Sequence, residues 1–205
     1  MTIHLSNAGK RFNRDWIFRK ATLTFLPGQS YAITGSNGSG KSTLLQAVCG
    51  SLEISEGKIE WTIDDKKVEA DKVFKHLTLA APYVEVIEEM TAIEFLQFHQ
   101  KFKPLQPQVS IKEIVQIIGL EKSATKQIRY FSSGMKQRIK LAQAIFTEAP
   151  LLLLDEPCTN LDTTGFDLYH NLIANYAKSK TIIVSSNDVN EYSFCNNVIS
   201  IMDYK

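Results

Sequence analysis

The sequence predicts an α/β fold, with a mostly parallel sheet, flanking helices, a small antiparallel β part and a helical insert. Three observations predict it. Ser30–Thr34, Leu151–Leu154 and Thr181–Ser185 are short runs with apolar centres, as in parallel strands buried on both faces. Helical patterns alternate with them, at Ser42–Val48, Met135–Thr147 and Thr164–Lys178. Residues 82–130 then change character and carry helical periodicity in an otherwise strand-rich chain. One domain spanning 1–205 is expected, with a core of about 1–81 and 131–205 and a helical subdomain of about 82–130.

Taken in order, Ile3–Leu5 and Ala21–Phe25 read as short strands. The polar, aromatic stretch from Lys10 to Trp16 reads as the turn between them. Pro27-Gly28 turns the chain into Ser30–Thr34. The helix Ser42–Val48 ends at Cys49-Gly50. Gly57–Ile63 alternates like a half-exposed strand, and Asp64-Asp65-Lys66-Lys67 is a hairpin tip. His76–Ala80 is a short strand stopped by Pro82. Thr91–Phe102 is an amphipathic helix broken at Lys103-Pro104. Ser110 caps the next helix, with Glu113 three residues on and Gly119 as its stop. Val198–Met202 closes the series as a last strand.

Composition excludes several classes. With 44% hydrophobic and 22% charged residues, wholesale disorder is out. The net charge of +1, from 23 basic and 22 acidic residues, gives no reason to expect a nucleic-acid partner. Cys49, Cys158 and Cys195 are odd in number and lack CxxC spacing, so they read as buried apolar residues of a reduced protein. The amino-terminal residues lack the pattern of a signal peptide, and the densest apolar run, Pro150–Leu154, is too short to span a bilayer.

Chemistry enters at Gly35-Ser36-Asn37-Gly38-Ser39-Gly40-Lys41-Ser42-Thr43. The first eight residues match GxxxxGK[ST], between a strand and a helix. Glycines let the backbone turn its N–H groups inward around phosphate oxygens, and the helix start adds its dipole. In this motif Lys41 neutralises β- and γ-phosphate charge and the Ser42 hydroxyl ligates Mg²⁺. The motif indicates a P-loop NTPase but does not separate a kinase, a GTPase and an ATPase.

Leu151-Leu152-Leu153-Leu154-Asp155-Glu156 supplies the complementary acids. Asp155 falls at the carboxyl end of a buried strand, where open α/β sheets bind ligands, and is placed to hold Mg²⁺. Glu156 is either a general base toward an attacking water or a capping or salt-bridging carboxylate.

Ser132-Ser133-Gly134-Met135-Lys136-Gln137-Arg138 starts 23 residues before Asp155. On its own it reads as an N-cap before a basic amphipathic helix. In its place between phosphate loop and acidic motif, it resembles the LSGGQ signature of ATP-binding cassette (ABC) ATPases. Thr159-Asn160-Leu161-Asp162 resembles their D-loop. The resemblance covers essentially the whole chain, which is short for that family.

The resemblance implies ATP and Mg²⁺ as ligands, and Ser132 and Gly134 as contacts to ATP bound on a second cassette. It implies a homodimer, or a heterodimer with another ABC cassette, and an integral-membrane transporter subunit as partner. Residence on the cytoplasmic face of the cell membrane follows, with no nucleic acid. It assigns adenine stacking to Phe12, with Trp16 as rival. Tyr83, Val86 and Ile87 fall where the family meets its membrane subunit, either as an apolar docking patch or as an ordinary buried loop.

Two positions depart from the family pattern. Ala80-Ala81-Pro82-Tyr83 follows the strand where a glutamine is expected, and Asn187 stands in the slot of the switch histidine. Asn187 can donate to a γ-phosphate but cannot take up and pass on a proton at neutral pH. Slowed hydrolysis is expected. A nucleotide-gated clamp of low turnover and a soluble ABC ATPase are the alternatives to a transporter subunit.

Overall fold

The computed structural model describes all 205 residues. They divide into two compact units, Met1–Leu77 with Ala149–Glu156 and Ser179–Lys205, and Thr78–Glu148 with Pro157–Lys178.

The first unit holds two sheets. Strands β1 (Thr2–Phe12), β2 (Asp15–Phe25), β4 (Glu56–Ile63) and β5 (Lys66–Val68) form an antiparallel sheet in the order β2-β1-β4-β5. Both β1 and β2 are much longer than expected. The stretch from Lys10 to Trp16 is the far end of their ribbon, and only Asn13-Arg14 turns. The cause is β-bulging. The register shifts between Leu5 and Ala8, and Asn7 and Lys20 adopt φ of +47° and +54°, so the period-two pattern that marks a strand is interrupted. Arg11 and Arg19 lie over the Trp16 ring at 5.6 and 4.5 Å, so the polar stretch is held as strand by cation–π contacts. The β4–β5 tip is tighter than expected: only Asp64 and Asp65 turn, both with the positive φ that a type I′ hairpin requires, and Lys66 and Lys67 already belong to β5.

The second sheet is parallel. Strands β3 (Ser30–Thr34), β7 (Leu151–Asp155), β8 (Thr181–Ser185) and β9 (Asn197–Ser200) run in the order β7-β8-β3-β9. All of β7 and β8 is buried, which accounts for the apolar runs Leu151–Leu154 and Ile182–Val184. Helix α1 (Lys41–Val48) follows β3, and the one-turn helix α6 (Val189–Tyr192) follows β8. The final strand is shorter than expected. From Ile201 to Tyr204 the chain tightens into a 3₁₀ turn, with the Ser200 hydroxyl capping it through Met202 N–H. Strand β6 (Leu77–Ala80) leads from this unit into the second.

The second unit carries α2 (Ala92–Gln100), α3 (Ile111–Ile117), α4 (Ser133–Phe146) and α5 (Thr163–Tyr176). It contains the expected helical segment 82–130 and also α4 and α5. Thr91–Glu94 and Ser110–Glu113 are both reciprocal capping boxes. Between α2 and α4, His99 Nδ1 accepts from Gln143 Nε2 at 3.0 Å, its Nε2–H donates to Thr147 Oγ1 at 2.8 Å, and Thr147 Oγ1 donates to Gln143 O. Burial, with Lys103 nearby, holds the His99 imidazole down at about 4, so the ring of bonds is built on a neutral histidine. No helix is long and apolar enough to cross a membrane.

Candidate functional site

In the first unit, the functional residues converge because β3, β7 and β8 are parallel and in register. Asp155 pairs across to Ser185, and Ser185 to Ile33, so one row of the sheet ends just before Gly35. The carboxylate of β7 and the loop after β3 therefore share the carboxyl edge of one sheet.

The loop from Gly35 to Lys41 turns back on itself. Gly35, Gly38 and Gly40 have φ of +148°, +73° and +101°, conformations that side-chain-bearing residues rarely adopt. Contacts enforce two of them. A Cβ on Gly35 would lie 2.5 Å from Ile201 Cγ2, and one on Gly40 would lie 2.3 Å from Ile17 Cγ2. Lys41 is buried, and its ammonium donates to Gly35 O at 2.9 Å and Ser36 O at 3.2 Å, spanning the mouth of the loop. The loop opens onto a cavity of ≈ 220 Å³ lined by Ile17, Asn37, Gly38, Ser39, Gly40, Lys41, Ser42, Thr43 and Glu156. Loop, helix start and acidic residue thus meet at one cavity.

Asp155 is 2% exposed, and its Oδ1 has no hydrogen-bond partner, nor have the buried Oγ atoms of Ser39 and Ser185. An orphaned, buried carboxylate oxygen at a sheet edge is a site that suits a hydrated divalent cation, so the residues fit Mg²⁺. No cluster of three or more His, Cys, Asp or Glu side chains makes a metal site by itself. Such an ion would be held by Asp155 and Ser42 together with phosphate oxygens. Glu156 sits at φ +45°, a left-handed conformation costing a non-glycine residue about 1–2 kcal/mol. Its N–H donates to Ser185 O at 2.9 Å, and the exposed residue lines the cavity.

Asn187 lies in the loop after β8 and is exposed. Its Nδ2 donates to Asn37 Oδ1 at 2.6 Å, tying that loop to the phosphate loop. Phe12 is half exposed at the end of β1 and does not line the cavity. Trp16, two residues away from the hairpin turn, is clasped by two guanidinium groups. Sequence reading missed Ile17, which does line the cavity, and Lys205, whose ammonium reaches Ser39 O at 2.6 Å. No spacing signal relates either residue to the loop.

In the second unit, Ser132 caps α4: its Oγ accepts from Met135 N–H at 3.3 Å. Ser132, Ser133, Gly134, Met135 and Arg138 line a cavity of ≈ 290 Å³ with Asn160, Leu161 and Asp162. The signature-like and D-loop-like segments therefore form one surface. Gly134 lets the two segments approach closely, since a Cβ there would lie 3.1 Å from Asn160 O. Asp162 caps α5 and accepts from Gly165 N–H at 2.8 Å and Thr164 Oγ1 at 2.9 Å. These bonds, with Arg138 3.6 Å away, hold its carboxyl below the usual range. The positive charge expected along α4 is largely answered within the unit, Arg138 by Asp162 and Lys136 by Glu88. Of the expected docking patch, Tyr83 is exposed, but Val86 turns inward and is buried, so those three residues form no continuous apolar surface.

The family model described as ABC transporter matches residues 18–159. The chain belongs to the ABC transporter family. A relative from Bacillus subtilis strain 168, named an uncharacterized ABC transporter ATP-binding protein, YybJ, is 33% identical over 90% of this chain and 84% of its own length. The bacitracin transport ATP-binding protein BcrA of Bacillus licheniformis is 30% identical over 80% of this chain, which spans about half, 54%, of that relative. A bacterial ABC transporter cassette solved as a dimer superposes with a TM-score of 0.79 at 23% identity, covering 97% of this chain and 93% of that one. The fold is that of the P-loop ABC cassette.

Proposed function

We propose that this protein is the ATP-binding and ATP-hydrolysing subunit of an ABC transporter, working through a separate integral-membrane subunit at the cytoplasmic face of the cell membrane. One observation carries the reading: a glycine-rich loop, its lysine, the helix start and a strained acidic residue line a single cavity beside an orphaned buried carboxylate.

The residues divide the work. Backbone N–H groups of Gly38, Gly40 and Lys41 with the start of α1 receive the phosphates of ATP. Lys41 exchanges the carbonyls of Gly35 and Ser36 for β- and γ-oxygens. Ser42 and Asp155 would hold Mg²⁺, which when bound would neutralise charge on the transferring phosphoryl group. Glu156 takes a proton from the attacking water, and Asn187 donates to the γ-phosphate from the opposite loop. Phe12, with Trp16 as rival, is the aromatic ring for adenine, both standing at the far end of the β1–β2 ribbon whose Ile17 lines the cavity.

The Ser132–Gly134 surface completes the site of a second cassette, so ATP is shared between two chains. This reading is supported by a second cavity, of ≈ 290 Å³, on the capped start of α4. The dimer is with a second copy or with another ABC cassette.

A reading of lower turnover, a nucleotide-gated clamp, is favoured by the Asn187–Asn37 bond, which engages the switch residue with the loop itself. Calorimetry with Mg²⁺ and a nonhydrolysable ATP analogue tests the common core of both readings. Lys41→Ala should weaken binding by at least about tenfold, as expected for loss of a charge-assisted contact. Unchanged affinity would remove the phosphate-loop assignment.

A further inference from the structure

The last five residues bear on both ends of the phosphate loop. At its start, the buried Ile201 fills the space over Gly35, with Cγ2 2.5 Å from where a Cβ would stand. Near its end, the Lys205 ammonium donates to Ser39 O at 2.6 Å and to Ile17 O at 2.8 Å. Ile17 in turn closes over Gly40. Three segments distant in sequence, the β1–β2 hairpin, the phosphate loop and the chain's last turn, are thus stapled together by one apolar and one charged contact.

The charged contact has a directional consequence. The chain contains no cis peptide bond, so in the Ser39–Gly40 peptide the C=O and the N–H point in opposite directions. An ammonium that draws Ser39 O toward itself turns the Gly40 N–H the other way. Gly40, at φ +101°, has little steric preference to fix that peptide on its own. Ser39 Oγ, buried without a partner, does not fix it either.

We propose that Lys205 is a positioning residue for nucleotide binding. Together with Ile201 it clamps the phosphate loop in its receiving conformation before ATP arrives, and it sets the direction of the Gly40 N–H. The inference rests on the ATP-binding reading above for its effect on affinity, but the clamp itself is a property of the nucleotide-free protein.

The test compares the full chain with Lys205→Met and Lys205→Arg. Lys205 is exposed, so neither variant disturbs the core. Hydrogen exchange is read on peptides covering residues 35–41 without nucleotide, and KM and kcat for Mg-ATP are measured beside it. Lys205→Met is expected to lose protection in that segment and to raise KM about three- to tenfold, the net effect of one hydrogen bond, with kcat changed less than twofold. Lys205→Arg keeps a donor within reach and restores both. Wild-type exchange in Lys205→Met overturns the clamp, and faster exchange with unchanged KM overturns its role in positioning the loop for nucleotide. If the wild type fails to bind ATP, the ATP reading falls, and exchange alone still decides whether Lys205 holds the loop.

Discussion

The contact between Gly40 and Ile17 gives a quantitative test of how the phosphate loop is shaped. In Gly40→Ala the new Cβ would stand 2.3 Å from Ile17 Cγ2, 3.5 Å from Ile17 O and 3.7 Å from Ile17 Cβ. Cγ2 is fixed to a β-branched carbon and cannot swing clear, so backbone must shift. Two costs add. Alanine at φ +101° is strained by about 1–2 kcal/mol, and overpacking against Ile17 adds about 1–3 kcal/mol. The expected total is about 2–5 kcal/mol, or a fall in Tm of roughly 4–20 °C for a chain of this size. The two costs separate in a double-mutant cycle. Ile17→Ala removes Cγ2, so in that background Gly40→Ala should cost only the backbone part, a coupling of about 1–3 kcal/mol. Urea denaturation of the wild type, both single variants and the double variant measures it. Strictly additive costs would refute the steric account of the loop and leave only the conformational preference of glycine.

Three further outcomes are expected. Protonating His99 breaks its ring of bonds with Gln143 and Thr147. The folded value of about 4 lies below the ordinary 6.5, so stability is flat above pH 6.5 and falls as pH drops from 6.5 toward 4, by about 1 kcal/mol after allowance for solvent screening. His99→Gln should flatten that slope in urea titrations, and an unchanged slope would assign it to other groups. Asn187→His should raise turnover, since imidazole carries a proton near neutral pH and the bond to Asn37 is released; a rate at or below wild type means that Asn187 does not set the limit. In Glu156→Gln, light scattering should find a dimer with Mg-ATP and a monomer with Mg-ADP, and adding Ser132→Arg should abolish the dimer without loss of ATP affinity. A monomer throughout would argue against a homodimeric site.

Legibility in the sequence followed the range of the interactions. The β3–loop–α1 segment was readable because each part is local: an apolar strand, glycines at positions of positive φ, then a helix. The capping boxes at Thr91 and Ser110 were equally local, although only the second was named from sequence. The long ribbon of β1 and β2 was not readable, because its bulges break the alternation. Asn187 was marked by its place after β8, yet nothing in the text pairs it with Asn37, 150 residues earlier. Ile17, Ile201 and Lys205 are invisible for the same reason. Each acts on the loop through tertiary contact, and an isoleucine or a lysine carries no motif. The resemblance left Val86 either in a docking patch or in an ordinary buried loop, and only its burial, beside the exposure of Tyr83, favours the second.

Hydrolysis of ATP at the Gly35–Ser42 loop requires Glu156 as base. Phosphate release at saturating Mg-ATP, wild type against Glu156→Gln, tests it most directly. The substitution keeps the size of the side chain and removes its basicity, so turnover should fall by at least about tenfold. Equal rates from the two proteins would contradict the account.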